Sequence, residues 1–152
     1  MRSFLTAAIL ALLSLSACGS PSPGGSGDAA SGGASELTWI EEDFEAAAAA
    51  SRESGKPILM DLYADWCGPC RTLSEEFFTS EEMRGVLSRF VLFRANVDGA
   101  GGGVLAERYG ASAIPLVVVV SADGTEYDRI VGVPSSIAEY VSDLESILGA
   151  IK

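Results

Sequence analysis

Residues 58–78 read ILMDLYADWCGPCRTLSEEFF, and this stretch decides the fold. Residues 58–63 form an apolar run that only Asp61 interrupts, as is typical of a buried strand. Cys67 and Cys70 follow, and a helix-forming stretch comes directly after them. A C-x-x-C pair between a strand and a helix is typical of a redox-active dithiol. The stretch therefore predicts thiol–disulfide chemistry at a strand-to-helix junction.

The spacing of the two cysteines predicts a different role for each. Two intervening residues keep both sulfurs within one helical turn, close enough to bond. Cys67 falls at the helix N-terminus, where free backbone N–H groups and the helix dipole favour a thiolate. Pro69 suits the first helical turn, where its missing N–H costs nothing. We expect Cys67 to be the attacking thiol and Cys70 to be the shielded, resolving one.

Two other uses of the cysteine pair are half of a zinc site and a structural disulfide. Zinc requires four ligands, usually cysteine or histidine. The sequence has no histidine and no second C-x-x-C pair. We therefore assign no metal site and no cofactor beyond the dithiol itself.

The charge balance argues against one class of partner. Twenty-one acidic residues against ten basic ones give a net charge of −11. A chain this acidic is repelled by nucleic acid and by an anionic membrane surface. The simplest interpretation is a solvated acidic surface, and we expect the protein to act as a monomer without nucleic acid.

The N-terminal residues predict a targeting signal rather than part of the folded domain. After Arg2, residues 4–15 form an apolar stretch that is too short to span a membrane, which is typical of a signal peptide covering residues 1–17. Residues 15–18 (LSAC) resemble the bacterial lipobox, in which the cysteine, here Cys18, carries lipid. The alternative is an ordinary signal peptide with an incidental cysteine. Residues 18–35 are rich in glycine and serine and predict a flexible tether, so the domain covers residues 36–152.

Residues 66–70 (WCGPC) carry the motif of the thioredoxin superfamily, and the sequence resembles that superfamily over residues 57–148. The resemblance implies an α/β thioredoxin fold with a central mixed β-sheet flanked by helices. Asp61 has the spacing of the superfamily's buried acid, which exchanges protons with the inner cysteine through water; the alternative is an acid that faces solvent. Arg94 falls where the superfamily has a lysine near that acid, although a solvated arginine at a strand edge is equally ordinary.

The same resemblance implies a surface for substrate docking. The bond from Ile114 to Pro115 would be cis and lie against the dithiol, presenting the Ile114 backbone to an extended substrate. The alternative is a trans proline that opens a strand. The expected docking surface consists of Trp66, Gly68, Pro69, Ile114, Pro115 and Gly132.

Local patterns predict the remaining elements. We expect helices over residues 41–54, over 104–109 and from Ser136 onward, strands over 91–97, 116–120 and 125–131, and a glycine-rich loop over 98–103. Residues 79–82 (TSEE) fit a capping box for another helix, and Ser136 with Glu139 fits a second one.

Within the superfamily, residues 56–67 and 93–98 resemble the C-terminal periplasmic domain of thiol:disulfide interchange reductases of the DsbD type. The membrane-spanning electron channel of those reductases is not in this sequence. We therefore expect a periplasmic or extracytoplasmic lipoprotein that reduces protein disulfides, takes electrons from a membrane donor and is anchored to a bacterial membrane by its lipid. The alternatives are a disulfide oxidase or isomerase, and a non-enzymatic binding lipoprotein on the same scaffold.

Overall fold

The computed structural model of the protein describes residues 37–151. The predicted signal peptide, the lipidation site at Cys18 and the predicted tether lie outside these residues. None of the helices described is both long and apolar enough to cross a membrane.

Residues 37–151 contain five strands and five α-helices. The strands are β1 (Trp39–Glu41), β2 (Ile58–Tyr63), β3 (Val91–Asn96), β4 (Leu116–Val120) and β5 (Glu126–Val131). The helices are α1 (Phe44–Ser54), α2 (Gly68–Thr72), α3 (Glu81–Leu87), α4 (Ala100–Arg108) and α5 (Ile137–Ala150). The sheet order is β1-β3-β2-β4-β5, in which β1, β3 and β2 are parallel and β4 and β5 are antiparallel to their neighbours. The expected central mixed sheet flanked by helices is confirmed.

Strand β2 lies at the centre of the sheet, and its side chains divide between two cores. Ile58, Met60 and Leu62 pack into a core with α1 and α4, whereas Leu59 packs into a second core with α3 and α5. Because side chains alternate along a strand, Asp61 points to the same side as Leu59. The fold therefore places this carboxylate beneath the helices that follow the cysteine pair.

Helix α1 begins later than the sequence pattern predicts. Glu41 still belongs to β1, and the side chain of Asp43 caps the helix by accepting a hydrogen bond from the Ala46 amide at 3.0 Å. Gly55, with φ of +70°, ends the helix in the left-handed region. The predicted start at residue 41 is wrong because pairing of β1 with β3 takes precedence over helix propensity.

The two predicted capping boxes have different outcomes. Ser80, rather than Thr79, caps α3 and accepts from the Met83 amide at 3.3 Å. The Thr79 hydroxyl instead donates to the Glu75 carbonyl at 2.6 Å, so the first box is wrong by one residue. At α5, Ser136 accepts from the Glu139 amide at 3.1 Å as predicted, but the Glu139 carboxylate accepts from the Ser135 amide, at 2.9 Å, rather than from that of Ser136.

The glycine run that predicts a loop over residues 98–103 mostly forms helix. Helix α4 starts at Ala100 and includes three glycines. A Cβ atom at Gly102 would lie only 1.9 Å from the Asn96 carbonyl oxygen, so this turn of helix packs directly on the end of β3. The loop prediction is wrong because these glycines serve close packing, which outweighs their poor intrinsic helix propensity.

Helix α2 continues as a π-helical turn over Leu73–Phe77. The Phe78 amide donates to the Leu73 carbonyl, five residues earlier, at 2.9 Å. The wider turn allows the consecutive residues Phe77 and Phe78 both to be buried, and both rings lie near the Tyr140 ring, with centroids 6.1 and 6.2 Å away. The sequence gives no sign of this irregularity.

Candidate active site

Cys67 and Cys70 form a disulfide at the start of α2. Cys67 is the N-cap residue, and its sulfur accepts a hydrogen bond from the Cys70 amide at 3.1 Å. The expected difference in shielding does not appear in the disulfide form, because the two residues are 3% and 4% exposed. What separates the two cysteines is position: only Cys67 lies at the helix terminus, where a thiolate is stabilised.

Asp61 is buried, with 2% of its surface exposed. A solvent-facing carboxylate is therefore excluded. Burial raises the pKa of Asp61 from 3.8 to about 6, and the nearby Arg94 opposes part of that rise. Within residues 37–151 the Oδ1 atom accepts no hydrogen bond. A carboxyl group with this pKa can take up or release a proton near neutral pH.

Arg94 lies opposite Asp61 in the pairing of β2 with β3. Its Nη2 atom is 3.9 Å from Asp61 Oδ2, and its guanidinium stacks 4.0 Å above the centroid of the Tyr63 ring. The arrangement resolves the open question about Arg94, which pairs with the buried acid. Arg94 and Cys70 also line one cleft of about 270 Å³, so the partner of the buried acid and the inner cysteine border the same space.

The peptide bond from Ile114 to Pro115 is cis, as expected. Ile114 packs against the apolar cluster that contains both cysteines. Gly132 donates from its amide to the Pro115 carbonyl at 2.8 Å and has a φ of +79°, which a side chain would disfavour. The structure thus brings the proline and the glycine together, and Ile114, the residue before the proline, packs against the disulfide.

An apolar groove of about 460 Å³ begins at Trp66 and Ile114. Trp66 is 70% exposed, and its indole Nε1 donates to Asp98 Oδ2 at 2.8 Å. Gly68 and Pro69 are also exposed, at the tip of the active-site turn. The rest of the groove is lined by Val97, Ala106, Ala111, Ser112 and Ala113.

Sequence reasoning missed Asp98 and all the groove residues other than Trp66 and Ile114. Their placement depends on the early start of α4, which the glycine run concealed. The only available signal was the position of Asp98 directly after a predicted strand. No three histidine, cysteine or acidic side chains converge as metal ligands anywhere in the described part of the chain.

Comparison with known proteins agrees with this geometry. Residues 38–122 match the family model described as thioredoxin-like. The thioredoxin of Chlamydia caviae is 36% identical over 75 residues, which cover 49% of this chain and 68% of that protein. The thiol:disulfide interchange protein DsbD of Ralstonia nicotianae is 32% identical over 93 residues, which cover 59% of this chain but only 15% of that much longer protein.

Among solved structures, the oxidised C-terminal domain of DsbD from Neisseria meningitidis superposes with a TM-score of 0.57 at 25% identity. The superposition covers 66% of this chain and 89% of that domain. The likeness therefore extends over nearly the whole of a separate domain, although only over a small part of the full-length DsbD proteins.

Proposed function

The chain belongs to the thioredoxin-like family of thiol–disulfide oxidoreductases, and from that premise we propose that it reduces protein disulfides outside the cytoplasm while tethered to a membrane. The observation that carries the proposal is the disulfide at the N-terminus of α2, beside a cis proline and an apolar groove. A purely structural disulfide has no need of such surroundings.

The reaction moves two electrons from the dithiol to the substrate. The Cys67 thiolate attacks one sulfur of a substrate disulfide, and the other substrate sulfur leaves as a thiolate that takes up a proton. Cys70 then loses its proton and attacks the Cys67 sulfur. The second substrate thiol is released, and the Cys67–Cys70 bond seen in this structure forms.

Asp61 serves the second step by accepting the proton from Cys70. With a pKa of about 6, its carboxyl group is mostly ionised at neutral pH and can act as the base. Arg94 stabilises the ionised form, because its guanidinium lies 3.9 Å from the carboxylate. Proton exchange with solvent would occur through the cleft that Arg94 and Cys70 share.

The groove would hold an extended segment of the substrate next to the dithiol. The backbone of Ile114 offers hydrogen-bonding groups to such a segment, as in peptide recognition by strand addition. The exposed face of Trp66 and the open space above Gly132 would accommodate its side chains. These features favour a protein or peptide disulfide over a non-enzymatic adaptor role.

The residues between the cysteines support a reducing role. Gly68 and Pro69 supply no cation that would stabilise the Cys67 thiolate, and the sequence contains no histidine. The reduced form is therefore less favoured than in oxidants such as DsbA. In an oxidising compartment the protein would need a membrane electron donor to remain reduced.

Equilibration with a glutathione redox buffer tests the direction. We expect a reduction potential closer to the ~−270 mV of thioredoxin than to the ~−120 mV of DsbA. A value near that of DsbA would contradict the reductase assignment and favour a tethered oxidase or isomerase. Absence of insulin reduction by the dithiothreitol-reduced protein would instead favour the binding role.

The membrane tether has its own test. We expect the protein isolated from membranes to begin at Cys18 and to carry the added mass of a lipid, because residues 15–18 resemble a lipobox. The Cys18→Ser variant should lack that mass and leave the membrane fraction. An unmodified Cys18 thiol in the wild-type protein would contradict the anchor while leaving the redox proposal intact.

A further inference from the structure

We propose that Glu42, which lies outside the active-site motif, is a positioning residue for the docking surface. Its carboxylate holds the turn that carries Asp98, and Asp98 in turn holds Trp66. The inference deepens the proposed function and rests on it, because the orientation of Trp66 matters to docking of a substrate. Three sets of contacts lead to it, beginning at the backbone of Glu42.

Glu42 has an unusual backbone conformation. Its φ of 60° is the only positive value at a non-glycine residue within the described chain. It stands at the centre of a three-residue turn, in which the Asp43 amide donates to the Glu41 carbonyl at 2.8 Å. An L-amino acid adopts such a conformation at a cost, so the surrounding structure must hold it there.

The side chain of Glu42 completes the sheet edge where β1 stops. The Glu42 amide donates to the Arg94 carbonyl at 3.0 Å, which is the last ladder bond between β1 and β3. In a parallel ladder the next donor, the Asn96 amide, would bond to the carbonyl of Glu42. The chain turns away there, and Glu42 Oε1 accepts from the Asn96 amide at 2.6 Å instead. A charged acceptor makes this bond stronger than the ladder bond it replaces.

Asn96 links Glu42 to the docking surface through two further hydrogen bonds. Its side-chain Oδ1 accepts from the Asp98 amide and its carbonyl accepts from the Gly99 amide, both at 2.9 Å. These bonds fix the turn that directs Asp98 towards Trp66, whose indole donates to Asp98 Oδ2 at 2.8 Å. Four hydrogen bonds thus connect the carboxylate of Glu42 with the exposed wall of the groove.

The close packing of α4 leaves this turn little freedom to rearrange. A Cβ atom at Gly99 would lie 3.1 Å from the Asn96 carbonyl and 3.5 Å from Glu42 Oε2. The Glu42 carboxylate therefore lies close to Gly99, where α4 begins. Loss of the Glu42 carboxylate should therefore make the turn over residues 96–99 more mobile, without giving it a second stable conformation.

Three substitutions separate the hydrogen bond from the backbone conformation and the charge. Glu42→Gly adopts a positive φ freely and removes the acceptor, so the protein should stay folded while losing the bond. Glu42→Asn also tolerates this conformation but is one methylene too short, and it serves if the glycine variant does not fold. Glu42→Gln keeps an acceptor of the same length. Glu41→Gln is the matched control, because it removes the neighbouring exposed charge.

Insulin kinetics and indole hydrogen exchange decide the proposal, and oxidation by a small disulfide is the control. In Glu42→Gly we expect KM for insulin to rise about 3-fold to 10-fold with kcat nearly unchanged, as for partial loss of one hydrogen bond. Oxidation of the reduced protein by the small disulfide 2,2′-dithiodipyridine, which needs no groove, should be unchanged. Hydrogen exchange of the Trp66 indole N–H, followed by NMR, should become faster. Glu42→Gln should restore both properties, and Glu41→Gln should change neither.

The outcomes distinguish this inference from the proposed function. Unchanged indole exchange in Glu42→Gly, or an equal change in Glu41→Gln, would overturn the positioning role, whatever the activity. Failure of the wild-type protein to reduce insulin would overturn the reductase assignment, and the role of Glu42 in substrate docking would fall with it. Faster indole exchange with an unchanged KM would likewise overturn the docking role.

Discussion

The Cys70→Ser variant is expected to accumulate mixed disulfides with substrate proteins, and Cys67→Ser to accumulate none. Cys67 lies at the N-cap of α2 and next to the groove, so it can still attack a substrate disulfide. Without the second thiol the adduct has no internal route to release. Turnover of insulin should fall to the uncatalysed background in both variants, although only one of them traps substrate.

Non-reducing gels of cells that express each variant measure the adducts. Both substitutions keep Cys18, whose sulfur the proposed lipid occupies, so that one free thiol remains in each protein and the membrane tether is preserved. A variant that lacks both Cys67 and Cys70 is the control for non-covalent association. Adducts of equal amount in both variants, or in neither, would contradict the roles assigned to Cys67 and Cys70.

The Asp61→Asn variant is expected to be more stable than the wild-type protein at neutral pH. In the folded protein the pKa of Asp61 is about 6, against 3.8 for an ordinary aspartate. Below pH 3.8 the carboxyl group is protonated in both states, so it costs nothing. As the pH rises from 3.8 to 6, the Asp61 carboxyl group ionises in the unfolded state before it does so in the folded state. The free energy of unfolding therefore decreases, by up to about 3 kcal/mol.

Asparagine removes this cost but leaves Arg94 without its partner, so we expect a net gain of about 2 kcal/mol at pH 7.5 and none near pH 3.5. Urea denaturation of the oxidised protein at both pH values measures the difference. Asp65→Asn is the matched control, because it removes an exposed carboxylate four residues away and should change stability by less than about 0.5 kcal/mol. A gain that is equal at both pH values would contradict the linkage.

The same variant should slow the reaction at the resolving step. An amide cannot take the proton from Cys70, so reduction of insulin should fall by up to ~10²-fold at neutral pH. Attack by Cys67 should persist, which predicts a longer-lived mixed disulfide. The wild-type rate should decrease as the pH falls through about 6, and the variant should lack that decrease. Superimposable pH profiles would refute the proton transfer.

The parts of the site that local spacing determines could be predicted from the sequence. Asp61 precedes Cys67 by six residues, and only the end of one strand and one turn separate them. Pro115 and Gly132 are distant in sequence, and they were predicted from the resemblance to the superfamily. Arg94 remained open because a position within a strand does not reveal its neighbour across the sheet. Its pairing with Asp61 required the register of β2 with β3.

The features that sequence reasoning missed depend on contacts between distant segments. Glu42 and Asn96 are 54 residues apart, and nothing local to either predicts their hydrogen bond. The glycines of α4 have the propensity of a loop, but they form a helix because one of them packs directly on a strand end. Ser80 replaces Thr79 as a cap because the preceding turn has already engaged the threonine hydroxyl.

The π-helical turn over Leu73–Phe77 limits how the sequence of this segment can change during evolution. Such a turn contains one residue more than an α-helical turn, and one residue corresponds to a rotation of about 100° around the helix axis. Substitution at its exposed positions, Glu75 and Glu76, leaves that rotation unchanged. Deletion or insertion of one residue would turn Cys70 relative to the buried pair Phe77 and Phe78. The number of residues in this segment, more than their chemical nature, is therefore what related sequences must preserve.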